Sequence, residues 1–201
     1  LDKLTGSIFY STQIDDRSLI FRLPLGENPV SQLVVENGTQ PRLSPDGKML
    51  AFHTTPPDVE GLAGFALDAG LAPTERTIRY TPYVEDGVES PPVWNPTGDR
   101  LAFATLRAGD GRSQIYLQPT APDNTTNSWF YGRSPAWEPG TNGSNRIVYR
   151  GTDLTGNQIG LWMASNDGDD RSSFTSVGSD DRPTWTPDGK SIIFTSSDRD
   201  G

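Results

Sequence analysis

One pattern of apolar and polar positions recurs four times along the chain. Each copy begins with proline, passes through a turn built on Pro-x-Gly or Pro-Gly, and ends in an almost continuous apolar run. The copies span Pro41–Phe52, Pro92–Phe103, Pro135–Tyr149 and Pro183–Phe194, and their leading prolines lie 43 to 51 residues apart. A period in this range is typical of stacked supersecondary units, none of which can bury its apolar faces alone.

Each complete repeat predicts four short strands. In the second repeat these are residues 91–96, 100–105, 113–118 and a weaker fourth near 127–131. In Ser44–Gly47 and Thr186–Gly189, proline occupies the second turn position and glycine the last. This order is typical of a tight turn, because proline presets φ and glycine tolerates a positive φ.

The second strand of every repeat is apolar at nearly every position. These strands are Met49–Phe52, Leu101–Phe103, Ile147–Tyr149 and Ile192–Phe194. Continuous apolarity, unlike strict alternation, indicates a sheet covered on both faces. No segment shows a convincing 3.6-residue period, so the pattern predicts an all-β protein in which sheet packs on sheet.

The repeat also predicts the organisation of the chain. We expect one continuous array over residues 1–201, with complete repeats at about 40–90, 91–133 and 134–181. Partial units at 1–39 and 183–201 flank them. The first recognisable strand, 6–12, aligns with the second strand of a repeat, and the last copy stops after its second strand.

The segment Pro183–Gly201 resembles the TolB-type, WD40-like (PD40) β-propeller repeat in its Trp-Thr-Pro-Asp-Gly-Lys core and its closing Asp-Arg-Asp-Gly. The resemblance implies an all-β propeller of four-stranded antiparallel blades, here a partial ring of about four to five blades. It implies that Trp94, Trp137 and Trp185 pack between blades. Leu43 departs from the pattern, since the other copies have Trp there. A periplasmic or extracellular location is implied as well.

A partial ring leaves strand edges without partners. We expect the chain to be part of a longer propeller, or its ring to close through another chain. Unpaired edges at Gly6–Thr12 and Ile192–Thr195 should then form homo-oligomers, because exposed backbone donors and acceptors recruit further strands. Light scattering should show species heavier than the monomer, and a purely monomeric chain at high concentration would contradict this expectation.

Charge and composition exclude several partners. The chain carries 17 Lys and Arg against 26 Asp and Glu, a net charge of −9. Nucleic acids and anionic membranes require clustered basic residues, so neither is expected. The absence of cysteine removes thiolate catalysis and Cys-ligated zinc. No apolar run is long enough to span a bilayer, and no cofactor is predicted.

Candidate catalytic and metal residues are few. His53 is the only histidine, and no Gly-x-Ser-x-Gly segment accompanies it, so a histidine that ends a β-strand is favoured over a triad member. Asp169 and Asp170, in an Asp-rich turn, are the best calcium candidates, but Asp in such turns more often bonds to its own backbone. We therefore predict no catalytic residue and no metal site.

The candidate ligand-binding residues are Arg42, Arg133, Asp181 and Arg182, which lie where first strands begin. In a propeller, these positions surround one mouth of the channel, where mixed charge could recognise a peptide or a small polar ligand. The favoured hypothesis is a non-catalytic module that binds a protein or ligand, with a scaffold in the cell envelope as one such role. The alternatives are an accessory propeller of a larger prolyl-oligopeptidase-like hydrolase, and a propeller lyase or glycosidase acting in its own channel.

Overall fold

The described part of the chain consists of strands, turns and loops. The computed structural model describes residues 5–26, 29–81, 90–106, 109–121, 127–140 and 145–199. These ranges contain no helix, and hence none that is long and apolar enough to cross a membrane. The chain separates into two compact units, Leu1–Gly87 and Val88–Gly201. The single continuous array over 1–201 stays a prediction.

The first unit contains two antiparallel sheets. Its strands are β1 (Ser7–Ile14), β2 (Arg17–Pro24), β3 (Gln32–Glu36), β4 (Gly38–Leu43), β5 (Met49–Thr54), β6 (Gly61–Leu67) and β7 (Pro73–Thr81). They pair in chain order as a three-stranded sheet, β1-β2-β3, and a four-stranded sheet, β4-β5-β6-β7. A core joins the two sheets: Ile20 of β2 packs with Leu50 and Phe52 of β5 and with Phe65 of β6.

The second unit repeats this arrangement. Its strands are β8 (Val93–Trp94), β9 (Arg100–Thr105), β10 (Gln114–Pro119), β11 (Asn127–Trp137), β12 (Ile147–Thr152), β13 (Gln158–Ala164), β14 (Ser172–Ser173), β15 (Asp181–Trp185) and β16 (Ile192–Thr195). Strands β8 to β14 pair in chain order, and β15 pairs with β16. A buried core includes Ala102 of β9, Ile115 of β10, Ile147 of β12 and Ala164 of β13.

Strand β11 belongs to two successive four-stranded sheets. Its first part pairs with β10, where Tyr131 lies opposite Gln114, and its last part pairs with β12, where Gly132 lies opposite Gly151. The sequence predicted two separate strands here. Because the fourth strand of one sheet runs directly into the first strand of the next, no loop is needed between them.

Two features follow the sequence pattern closely. Gly47 and Gly189, which close the Pro-Asp-Gly turns, have φ of +70° and +67°. The apolar second strands are buried on both faces; Leu101, Ala102 and Phe103 are fully inaccessible to solvent. Neighbouring sheets within each unit therefore cover one another.

The tryptophans lie in or against this packing. Trp94 and Trp137 are buried, and Trp137 is part of the core of the second unit. Trp185 is half-buried, and its indole N–H donates to the carbonyl oxygen of Ala136 on the preceding sheet (3.1 Å). Trp129 and Trp162, outside the repeated pattern, pack against the same core.

Candidate functional site

The first strand of three sheets has the same irregularity at its start. The pairing register shifts between Thr39 and Arg42 in β4, between Arg133 and Ala136 in β11, and between Asp181 and Thr184 in β15. The residue before the repeat proline has a positive φ in each case, at Gln40 (+53°), Ser134 (+52°) and Arg182 (+50°). A bulge of this kind bends the strand and redirects its side chains. It therefore sets where the candidate charged groups point.

Asp181 is the centre of a charged cluster in the second unit. Its carboxylate accepts hydrogen bonds from Arg133 Nη2 (3.0 Å) and Arg150 Nη1 (2.8 Å), both to Oδ2. Its Oδ1 accepts from Ser134 Oγ (3.1 Å) and from the backbone N–H of Arg182 (2.8 Å). Two bulged strands, β11 and β15, and the middle strand β12 thus meet at one carboxylate.

The electrostatic environment keeps Asp181 ionised. Burial opposes its ionisation, but the backbone N–H of Arg182 and the charges of Arg133 and Arg150 outweigh that effect, and the pKa of Asp181 is lowered. The preceding Asp180 is fully buried and accepts from Arg199 Nε (3.0 Å) and Nη2 (2.6 Å). The hydrogen bonds from Arg199 hold the pKa of Asp180 well below its usual range.

A polar cavity of about 270 Å³ lies beside this cluster. The bulge of β11 contributes Arg133, the β9–β10 connection contributes Arg112 and Ser113, and the ends of β12 and β13 contribute Thr152 and Gln158. Both charged residues in this lining are arginines, in a chain whose net charge is −9.

Arg112 is held firmly in this wall. Its Nε and Nη2 donate to Asp110 Oδ2 (3.0 and 2.6 Å), and Nη2 also donates to the Tyr131 hydroxyl (2.9 Å). Its Nη1 donates to the carbonyl oxygen of Leu154 (2.8 Å), and its Cζ lies 3.9 Å from the centroid of the Tyr131 ring. The hydrogen bonds from Arg112 hold the pKa of Asp110 below its usual range.

Three of the four candidate site residues thus lie together. Arg133, Asp181 and Arg182 share the cluster, whereas Arg42 belongs to the first unit, where it is exposed and donates to the carbonyl oxygen of Pro41 (3.2 Å). Sequence reasoning missed Arg150, although it offered a signal. An arginine that follows Tyr149 inside an apolar strand needs a buried partner.

The other candidates show no site geometry. Asp169 and Asp170 are exposed in the turn between β13 and β14, and the described residues contain no group of three or more His, Asp or Glu placed to hold a metal ion. His53 is fully buried within β5, opposite Leu62 of β6.

Comparison with known proteins identifies the fold. No protein-family model matches the chain, and no curated protein matches it. Among solved structures, TolB from Acinetobacter baumannii superposes with a TM-score of 0.68 at 17% identity, over 92% of this chain and 45% of TolB. This chain therefore spans less than half of that protein.

Two enzyme-related structures are also similar. An oligogalacturonate lyase from Vibrio parahaemolyticus has a TM-score of 0.60 at 14% identity, over 90% of this chain and 51% of the lyase. The β-propeller domain of the Trilobed protease from Pyrococcus furiosus has a TM-score of 0.51 at 15% identity, over 84% of this chain and 58% of that domain. The chain has the β-propeller fold, with four-stranded antiparallel blades. Sequence identities this low do not support assigning the activity of these enzymes to this chain.

Proposed function

We propose that this chain is a non-catalytic β-propeller module that binds a protein or peptide at the surface formed by Arg133, Ser134, Asp181 and Arg182. The observation that carries the proposal is the meeting of two bulged first strands at one mixed-charge cluster beside a polar cavity. Mixed charge on a rigid sheet scaffold favours specific recognition, because misplaced charges on a wrong partner are penalised.

The proposed surface contains one internal ion pair and one exposed arginine outside it. Arg133 and Asp181 are paired, with 35% and 16% of their side chains exposed. Arg182 is exposed, and its guanidinium has no ion-pair partner in the described part of the chain. A partner carboxylate could therefore bind Arg182 without breaking an internal pair.

The resemblance to TolB supports a role as a binding module, and we extend it to location. We propose a periplasmic or extracellular site of action, in which the module serves as an envelope scaffold for a protein or peptide partner. We also propose that the chain forms homo-oligomers through β1 and β16. Among the described strands, β1 pairs only with β2 and β16 only with β15, so each has one edge without a strand partner.

An accessory role in a larger hydrolase is the second candidate. The similarity to the Trilobed protease propeller domain favours it. In that case the catalytic α/β domain would be encoded in the same reading frame. A Gly-x-Ser-x-Gly segment there would support this candidate, and a complete frame without one would contradict it.

Substitution of Arg182 tests the binding proposal. Peptides would be selected from a displayed random library on the wild-type chain, and the affinity of one selected peptide measured by biolayer interferometry. Arg182→Ala should weaken it about tenfold, because a central arginine contact is worth more than about 1 kcal/mol. Arg133→Ala should weaken it at least as much.

The matched control is Arg171→Ala. Arg171 is an exposed arginine at the end of the β13–β14 turn, directly before β14, and lies outside the cluster. It should leave the affinity unchanged. Failure to select any peptide, or equal affinity for all three variants and the wild type, would contradict the proposed surface.

A further inference from the structure

We infer that the cavity beside Arg133 is a carboxylate-binding subsite, which accepts an acidic side chain or a terminal carboxylate of the bound peptide. The inference rests on the proposed function for the identity of the partner. The chemistry of the subsite follows mainly from Arg133 and Arg112.

Most of the N–H donors of Arg133 have no partner among the described residues. A guanidinium has five N–H donors, and in the described part of the chain only Nη2 of Arg133 has a partner, Asp181. Its Nε is buried and has no hydrogen-bond partner. A buried donor without a partner costs free energy, and more so on a charged group. Within the described ranges the donors of Nη1 are unpaired as well and, unlike Nε, are not buried, so a ligand carboxylate in the cavity would accept from the terminal nitrogens of Arg133. Guanidinium and carboxylate groups favour such bidentate geometry.

Hydrogen bonds hold the guanidinium of Arg112 in one position. Asp110, the Tyr131 hydroxyl and the Leu154 carbonyl oxygen fix its guanidinium against the ring of Tyr131. These contacts use all its donors except one on Nη1. Because the guanidinium of Arg112 is already immobile, its remaining Nη1 donor can bind a ligand carboxylate oxygen with little loss of conformational entropy.

The charges around the cavity select an anion. The charged residues that line it are both arginines, Arg112 and Arg133, and their partners Asp110 and Asp181 are not part of the lining. Both carboxylates are occupied by arginines, so they offer little to a cation. Arg150, the second partner of Asp181, adds a further positive charge. The remaining polar lining includes Thr152 and Gln158, whose side chains can donate to the ligand oxygens.

The test uses small probes on the whole chain. N-acetyl-aspartate amide carries a side-chain carboxylate, N-acetyl-alanine a terminal one, and N-acetyl-asparagine amide neither. Each would be titrated while the arginine Nε–H signals are followed by NMR. We expect at least one carboxylate probe to bind at least about tenfold more tightly than the asparagine probe, with the largest shift at Arg133, since charge-assisted hydrogen bonds are worth roughly twice neutral ones. The stronger of the two carboxylate probes identifies the source.

Variants decide whether the binding is at this cavity. Arg133→Gln and Arg112→Gln should each weaken the carboxylate probe about tenfold or more, whereas Arg171→Gln should not. Arg133→Lys keeps the charge and should bind with intermediate affinity, which covers the case in which Arg133→Gln does not fold. The inference would be overturned if neither carboxylate probe bound more tightly than the asparagine probe, or if no probe bound. Binding unaffected by Arg112→Gln and Arg133→Lys would overturn it as well. Selected library peptides that depend on Arg182 but contain no required carboxylate would overturn it while leaving the proposed function intact.

Discussion

Replacing Asp181 by Asn should lower the free energy of unfolding by about 3 kcal/mol. Removal of one partner from a buried ion pair typically costs about 3–5 kcal/mol, because the other charge is left without compensation. Here two arginines lose their partner: Arg150 has 12% of its side chain exposed, and Arg133 has 35%. The exposure of Arg133 places the expected loss at the lower end of that range. Urea unfolding followed by tryptophan fluorescence would measure it.

A matched control separates this effect from the general loss of an aspartate. Asp188 is an exposed turn residue that accepts from Thr186 Oγ1 (2.6 Å) and the backbone N–H of Lys190 (3.1 Å). Asp188→Asn should have a much smaller effect, since its contacts are local and solvated. A loss at Asp181 no larger than the loss at Asp188 would show that the ion-pair cluster does not stabilise the fold.

The pH dependence of the Asp181→Asn effect follows from the direction of the pKa shift. The folded pKa of Asp181 lies below its ordinary value, about 3.9 in the unfolded chain. The stabilisation by its charge is therefore complete above about pH 4 and is lost as the pH falls through the lower, folded pKa. The difference between wild type and Asp181→Asn should be constant from about pH 5 to 8 and shrink below about pH 4. A difference that is unchanged at about pH 3 would contradict the assignment.

Replacing Gly160 by Ala should also destabilise the protein, by about 3 kcal/mol. Gly160 lies in β13 with a φ of +88°, and a Cβ there would lie 2.4 Å from the carbonyl oxygen of Thr175. The backbone N–H of Leu161 donates to Thr175 Oγ1 (3.0 Å), and the N–H of Thr175 donates to the Leu161 oxygen (3.0 Å). Thr175 cannot move away without losing these bonds. The backbone strain of about 1–2 kcal/mol and the overpacking of about 1–3 kcal/mol therefore add.

Gly156→Ala is the matched control for this prediction. Gly156 has nearly the same φ, +91°, but the nearest atom to its added Cβ is Arg112 Cγ at 3.9 Å. Gly156→Ala should show only the cost of backbone strain, about 1–2 kcal/mol. The two variants would be compared by urea unfolding at neutral pH. Equal losses would show that the contact with Thr175 is relieved at no cost.

Much of the fold could be predicted because its signals are local. The Pro-Asp-Gly turns end at Gly47 and Gly189 with the expected positive φ, and the apolar strand around Leu101–Phe103 is buried on both faces. Turn geometry depends on two or three adjacent residues, and burial of a strand depends on its own side chains. The continuous strand β11 was missed, because the direct passage from one sheet to the next depends on where both neighbouring strands lie.

The candidate site was predicted only in part. Arg133, Asp181 and Arg182 were identified from their position at the starts of strands, and they meet in the structure. Arg150 and Arg112 were not identified, nor was the cavity. Their roles depend on partners in other strands and loops, and no spacing in the repeat encodes those partners.

The amino-acid sequence by itself therefore determined the repeating unit, its turns and an all-β fold of stacked sheets, since each follows from short-range pattern repeated along the chain. The β-propeller was implied by the resemblance of the repeated segment to the TolB-type repeat. Only the tertiary structure decided which charges meet. Asp181 is 48 residues from Arg133 and 31 from Arg150, yet all three join in one ion cluster. The reason is physical: backbone conformation is chosen among neighbours, whereas a buried charge pairs with whichever opposite charge the packing of the sheets brings within hydrogen-bonding distance.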